Sequence, residues 1–455
     1  MKKRNIAVVL LALGLSFLLS GCFFRGVDEL YMVPQPPEDY KALQVCLSQV
    51  IDQGGEYAAP LSGDMIQSVQ LQDLDGDGRQ EAIAFFRLPN EEKPMKVYIF
   101  RQVGDAYQTI GIIEGAATAI NSIEYAQMDE DPYRELVISW QMSTSARTLS
   151  VYSVGTEIAE LLRTDYDSYR LYDMDQDNQQ ELVVFRTPSE ASPRVELYDH
   201  EGILTLVSSA PLSTGAVLGA DGVVKSDYLT ALQVGYLSDR SPAIFATSTY
   251  GEGGAITDIY VVKDGKLQNV TLDGHTNESG ETIRYYTQAG LWDINGDGIM
   301  EVPKPSPLVD SRRGSVVSHW LVQWRQFDSN GQPQDIMNTY YNNRDGWYFV
   351  LPEGWSGKNL ILSRSDLPGG GEQAVTFAYW SGREGEDSLP FLTVYKLTGT
   401  NRVSRSKRPG RFTITPPGTE EDTIYAAELH DDWDSGLTEE EVKERFAVIK
   451  TDWYS

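Results

Sequence analysis

The sequence predicts a mainly β chain: about five four-stranded units of the propeller-blade kind, then a small α+β C-terminal domain. Three observations carry that expectation. An acidic nonapeptide recurs at 73–81, 173–181 and 293–301, with degraded copies beginning at 127 and 234, or one unit per roughly 55 residues. A short apolar run follows, as in Ala82–Phe86 and Leu182–Phe185, the signature of a buried strand. Alternating segments bounded by Asp/Gly turns fill the rest of each unit.

Residues 1–21 read as a secretory signal. Lys2, Lys3 and Arg4 precede an apolar stretch from Ile6 to Leu19 and a small-residue site, Ser20-Gly21-Cys22. The uninterrupted apolar part, Ile6 to Leu13, is too short to span a bilayer core of about 30 Å. Leu19-Ser20-Gly21-Cys22 resembles the lipobox of bacterial lipoproteins. That resemblance implies cleavage before Cys22, acylation of its thiol and a diacylglyceryl anchor. Two chains make such anchoring stable. The expected location is therefore extracytoplasmic, on the bacterial cell membrane. Residues 22–37, ending in Pro34-Gln35-Pro36-Pro37, read as a lipidated tether.

Residues 38–61 read as a short helical lead-in. Leu43, Val45, Cys46 and Val50 give Tyr40–Ile51 an amphipathic pattern, with Cys46 as a small buried hydrophobe. With Cys22 lipidated, no intrachain disulfide can form.

Residues 62–342 hold the repeats. In each unit an apolar segment precedes the acidic loop (Met65–Leu71, Tyr169–Tyr172, Leu229–Val234, Ile283–Leu291) and a strand follows it. A second strand comes next (Lys96–Phe100, Thr148–Tyr152, Arg194–Tyr198, Asp258–Val262, Ser318–Gln326), and a last one closes the unit (Thr109–Ile113, Ile158–Leu162, Ile203–Val207, Leu267–Leu272). Four strands per unit fit propeller blades. The loops resemble the VCBS/FG-GAP repeat of integrin-α-type β-propellers and bacterial surface proteins. Five units are fewer than that family usually has, so an open arc of blades and a ring completed by other segments both remain open.

The loop chemistry points to calcium. Oxygens at alternate positions, a main-chain carbonyl and an acid at position nine can converge on a cation that takes six to eight oxygen ligands. The expected sets are Asp73, Asp75, Asp77, the carbonyl of Arg79 and Glu81; Asp173, Asp175, Asp177, the carbonyl of Gln179 and Glu181; and Asp293, Asn295, Asp297, the carbonyl of Ile299 and Glu301. Asn178 stands where the other two loops have Gly, and Asn tolerates positive φ. Loop 127–135 has Pro132 there, whose fixed φ excludes that turn, so no metal is expected in it. The competing reading is a metal-free Asp/Gly turn. In either case the role is structural, since a catalytic metal needs an open position.

Charge and composition exclude other classes. With 38 basic and 66 acidic residues the net charge is −28, which repels phosphate backbones, so nucleic acid is not an expected partner. Four scattered histidines and two cysteines exclude zinc-finger and disulfide frameworks. No nucleophile-elbow or P-loop pattern occurs, so the chain is not expected to be an enzyme. The expected function is a membrane-anchored, calcium-binding module that binds or scaffolds an envelope protein or polysaccharide. A carbohydrate- or wall-processing enzyme and a solute-binding lipoprotein are the alternatives. The repeats disfavour the latter, whose class closes two α/β lobes over a cleft.

Residues 343–455 are expected to form the separate α+β domain. Gly346–Trp355 reads as an aromatic strand entering a Pro-Glu-Gly turn, with strands near Leu360–Ser363, Ala374–Tyr379 and Leu392–Lys396. Its opening resembles the Mog1/PsbP-like group. Thr438 and Glu441 spell a capping box for a helix with Val442, Phe446 and Ile449 on one face. The basic run Arg402, Arg405, Lys407, Arg408 and Arg411 could meet anionic lipid or balance the Glu420–Asp422 and Asp431–Asp434 clusters. Trp320 and Trp324 share a strand face, as core or as a carbohydrate platform.

Overall fold

A computed structural model describes residues 40–449, apart from 156, 188–191, 201–202, 220–223, 226, 309–318, 356–357, 367–369 and 384–385. The signal peptide, Cys22 and the 22–37 tether lie outside the described residues. The chain divides into two compact units. One runs through Ile123 and includes Trp140–Thr144 and Gly155–Ile158; the other holds Glu124–Ser139, Ser145–Val154 and everything from Ala159.

The first unit begins with helix α1 (Lys41–Asp52), close to the expected span. It buries Leu43 and Val50, and packs half-buried Cys46 and Leu47, against Ala82, Ala84, Phe86 and Tyr98. These belong to a sheet of β1 (Glu56–Tyr57), β2 (Val69–Gln72), β3 (Glu81–Arg87), β4 (Met95–Val103) and β5 (Ala106–Gly115). Its order is β1-β3-β4-β5, with β2 also pairing β3. All pairings are antiparallel.

Three four-stranded sheets follow, each in simple meander order. One holds β6 (Ala119–Ala126), β7 (Glu135–Gln141), β8 (Arg147–Val154) and β9 (Ile158–Asp165). The next holds β10 (Ser168–Tyr172), β11 (Glu181–Arg186), β12 (Arg194–His200) and β13 (Leu204–Pro211). The third holds β14 (Leu229–Tyr236), β15 (Pro242–Tyr250), β16 (Gly254–Lys263) and β17 (Lys266–Asn269), after a short helix α2 (Thr214–Val217). The mainly β, blade-like array therefore stands.

The strand after each loop is an apolar run because both its faces are covered. Val183 and Phe185 of β11 pack with Ile244 and Ala246 of β15, whereas Leu182 and Val184 pack with Val137 and Val151. Successive sheets of the second unit thus share cores.

The fifth sheet departs from expectation. Its first strand, β18 (Val302–Leu308), comes after the acidic loop, and Ile283–Leu291 forms no strand. That segment's one β-bridge among the described residues joins Ala255 and Arg284. The reason lies in Pro303, Pro305 and Pro307. Proline has no N–H to give a ladder, so β18 pairs through its other residues and its free edge lacks donors. A strand from 283–291 would find no partner there. β18 pairs with β19 (His319–Phe327), then β20 (Pro333–Asn342) and β21 (Trp347–Val350). The expected boundary at 343 thus falls between two paired strands.

The sixth sheet contains β22 (Leu360–Asp366), β23 (Glu372–Tyr379), β24 (Leu389–Thr398), β25 (Arg411–Thr413) and β26 (Thr423–Leu429), in the order β22-β23-β24-β26-β25. Helix α3 (Arg402–Ser406) lies between β24 and β25. The capping box at Thr438 and Glu441 starts α4 (Glu439–Arg445). That helix is shorter than expected. Phe446 opens a strand, β27 (Phe446–Val448), which pairs with β21. Val442 and Phe446 still share one core with Trp347, Phe349 and Phe377.

Candidate metal centres

Four loops share one construction. The second residue of each (Leu74, Met128, Met174, Ile294) is buried, as is the glutamate at position nine (Glu81, Glu135, Glu181, Glu301). The N–H of the former donates to an Oε of the latter, at 3.0, 3.1, 2.6 and 2.8 Å respectively. This clasp folds the acidic segment back over the start of the following strand. Sequence reasoning missed it, although an apolar residue stands at position two in all four copies.

Within the clasp the other acids turn inward. In 73–81, Asp73 accepts from the Gly78 N–H at 3.0 Å and Asp77 from the Arg79 N–H at 2.7 Å. The same bonds recur from Asn178 to Asp173 (3.1 Å) and Gln179 to Asp177 (2.7 Å), and from Gly298 to Asp293 and Ile299 to Asp297 (both 2.8 Å). Asn178 takes a φ of 70°, beside 84° and 82° at Gly78 and Gly298. Position four is also left-handed: Gly76, Gln176 and Gly296 have φ of 70°, 69° and 77°.

The carboxylate oxygens converge. Carboxylate atoms of Asp173, Asp175, Asp177 and Glu181 lie within 4.8 Å of one another, as do those of Asp73, Asp75 and Glu81, and of Asp293, Asp297 and Glu301. Asp77 falls outside these groups; the Asn295 side-chain amide donates to Asp297 Oδ2 at 2.9 Å. Buried Asp73 Oδ1 has no hydrogen-bond partner. Such clusters can hold a metal ion.

No family model and no curated protein matches the chain. Similar solved structures include BBS1N in complex with ARL6DN, soaked with lead, with a TM-score of 0.26 and 11% identity over 83% of this chain and 96% of that one. Sqt1 of Saccharomyces cerevisiae has a TM-score of 0.24 and 9% identity over 71% and 94%. The blade-like architecture rests on the sheets themselves.

What distinguishes the loops is the residue across the ladder from the glutamate. In the first it is Arg101, whose guanidinium lies 2.7 Å from Asp75 Oδ2 and 3.0 Å from Glu81 Oε1. This loop already holds a cation. In the third loop Gln326 takes that place, donating to Glu301 at 2.7 Å and Asp297 at 2.8 Å. Arg240 adds a bond to the Asp297 carbonyl at 3.0 Å. In 173–181 the residue is Asp199, a further acid. Burial, reinforced by Asp175 and Asp199, pushes Glu181 up to about 8. Burial likewise raises Glu301 to about 7.

Loop 127–135 is filled differently. The Gln127 side-chain amide reaches the carbonyls of Asp129 at 2.9 Å and Asp131 at 2.5 Å, standing where the other loops have an aspartate. Pro132 is not among the left-handed residues, and His200 Nδ1 lies 2.9 Å from Asp129.

Other singled-out residues take structural places. Trp324 is buried and donates to Thr339 Oγ1, while Trp320 stacks on Tyr286 at 4.7 Å. Arg405, Arg408 and Arg411 converge on buried Glu372, at 3.9, 3.3 and 2.7 Å. The acid balancing these three is therefore on β23, whereas Arg402 donates to the Glu421 carbonyl at 3.1 Å, in one of the two clusters expected.

Proposed function

We propose that this protein is a non-catalytic binding or scaffold module of the bacterial cell envelope, held to the membrane by lipid on Cys22 and stiffened by calcium. The reading is supported above all by the recurrence of one clasped loop at four of the sheets, three of these loops gathering three or four carboxylates inside. The lipobox-like Leu19–Cys22 supports the anchor, and the VCBS/FG-GAP resemblance supports both the repeats and the ion.

Asp173, Asp175, Asp177 and Glu181 would hold the tightest ion, because among the described residues no cation pairs with them. Asp293, Asp297 and Glu301 would hold a second. At Asp73, Asp75 and Glu81 calcium competes with Arg101. An ion in such a site joins the strand-to-strand turn rigidly and supplies structure, not chemistry. Envelope calcium at ten times Kd stabilises each site by about 1.4 kcal/mol.

Thermal unfolding in chelator and in millimolar Ca²⁺ tests the ion. Asp175→Ala and Asp297→Ala should each remove part of the calcium shift, and Asp129→Ala none. Identical curves in chelator and calcium would reduce the loops to metal-free turns. For the anchor, metabolic fatty-acid labelling should be lost in Cys22→Ala; labelling at the wild-type level would overturn it.

A further inference from the structure

A cavity of about 770 Å³ opens in the second unit, within the range of small-ligand sites. Strands β10, β14 and β15, the start of β16 and the segment from Arg284 to Leu291 line it. Arg284 stands in its wall at 4% exposure. Its Nη1 donates to Thr257 Oγ1 at 2.9 Å and to the Thr282 carbonyl at 3.3 Å, and its Nε has no partner. No carboxylate pairs with it among the described residues. Burial alone pulls its pKa down, to about 10.

Arg170 lines the same cavity, and among the described residues no acid pairs with it either. Its guanidinium donates to the carbonyls of Leu232, at 2.7 and 3.2 Å, and Tyr169, at 3.1 Å. Ser248 Oγ, fully buried in that wall, has no partner. Arg284 Nε and Ser248 Oγ are thus orphaned, while Arg170 is exposed beside them, in a chain where acids outnumber bases 66 to 38 and where three arginines elsewhere share Glu372. A buried cation without a counter-charge is strongly disfavoured, and a buried polar atom without a partner demands a cause. A ligand oxyanion supplies both. The remaining wall alternates hydroxyls, such as Thr230 and Thr249, with Leu229, Leu232 and Leu291, which suits a polyol ring better than a bare ion.

We infer that this cavity binds an acidic sugar, its carboxylate or phosphate seated against Arg284 and Arg170. The site is separate from the acidic loops, and neither calcium nor the lipid anchor is required for it.

Calorimetric titration of the full chain with D-glucuronate, glucose 6-phosphate and glucose tests this. At least one acid should bind, with glucose at least tenfold weaker; which acid binds tells carboxylate from phosphate. Arg284→Met and Arg170→Met should each weaken binding tenfold or more, and Arg284→Lys less. Without ligand, Arg284→Met should melt no lower than wild type, because it removes an uncompensated buried charge. Neither acid binding, glucose binding equally, or Arg170→Met binding normally while Arg284→Met melts lower would overturn the inference. The last pattern would make Arg284 a structural residue.

Discussion

Arg101→Met takes the built-in cation out of loop 73–81. Arg101 bonds to Asp75 at 2.7 Å and to Glu81 at 3.0 Å, with its own side chain 32% exposed and that of Glu81 2%. Removing one partner of a fully buried pair costs about 3–5 kcal/mol; with partial exposure of the arginine the expectation is about 2–3 kcal/mol. The variant leaves Asp73, Asp75 and Glu81 gathered without Arg101, which on the proposed reading would suit calcium better than wild type. Calcium at ten to a hundred times Kd should then restore about 1.4–2.7 kcal/mol. Urea unfolding followed by tryptophan fluorescence, in chelator and in millimolar Ca²⁺, measures both quantities. A variant as stable as wild type in chelator, or one whose calcium response is no larger, would refute the role given to Arg101.

Three further outcomes are expected. Glu181, Glu135 and Glu301 are raised by burial to about 8, 7 and 7. A raised folded-state value means the folded chain binds more protons above the unfolded value, so stability in chelator should fall as pH rises from about 4.5 to about 8. Calcium, which needs the ionised acids, should flatten that dependence in denaturation midpoints measured across the range. Asp199→Asn should weaken calcium binding at 173–181 severalfold in equilibrium titrations, since it removes an acid and no bond of the clasp. Gln127→Ala strips the amide from the carbonyls of Asp129 and Asp131 and should cost about 1–3 kcal/mol in urea, unaltered by calcium.

Much of this fold was legible because its signals are local. Apolar runs after each loop marked β3, β7, β11 and β15, and Asn178 could be assigned its left-handed turn from residue type alone. The first strand of the fifth sheet was misread because Ile283–Leu291 looks apolar enough, while Val302–Leu308, with three prolines, looks unlike a strand. Only the partner β19 makes it one. The acidic clusters were legible as loops of alternating carboxylates but not as electrostatic sites. Arg101, Asp199 and Gln326 lie 20, 18 and 25 residues beyond their glutamates, and register alone brings each opposite. Arg284 gave no sign at all, since what marks it is the absence of a neighbouring acid in space.

The alternating prolines of β18 also bear on how copies of this chain meet. An open sheet margin normally invites a neighbour's strand, and self-association by strand addition starts there. On this margin Pro305 and Pro307, the two not buried, present carbonyls alone, so an approaching chain could donate but would receive nothing back. Copies crowded together could not zip into a continuous sheet through it. The prolines that cost the fifth sheet an extra strand also keep it from growing a foreign one.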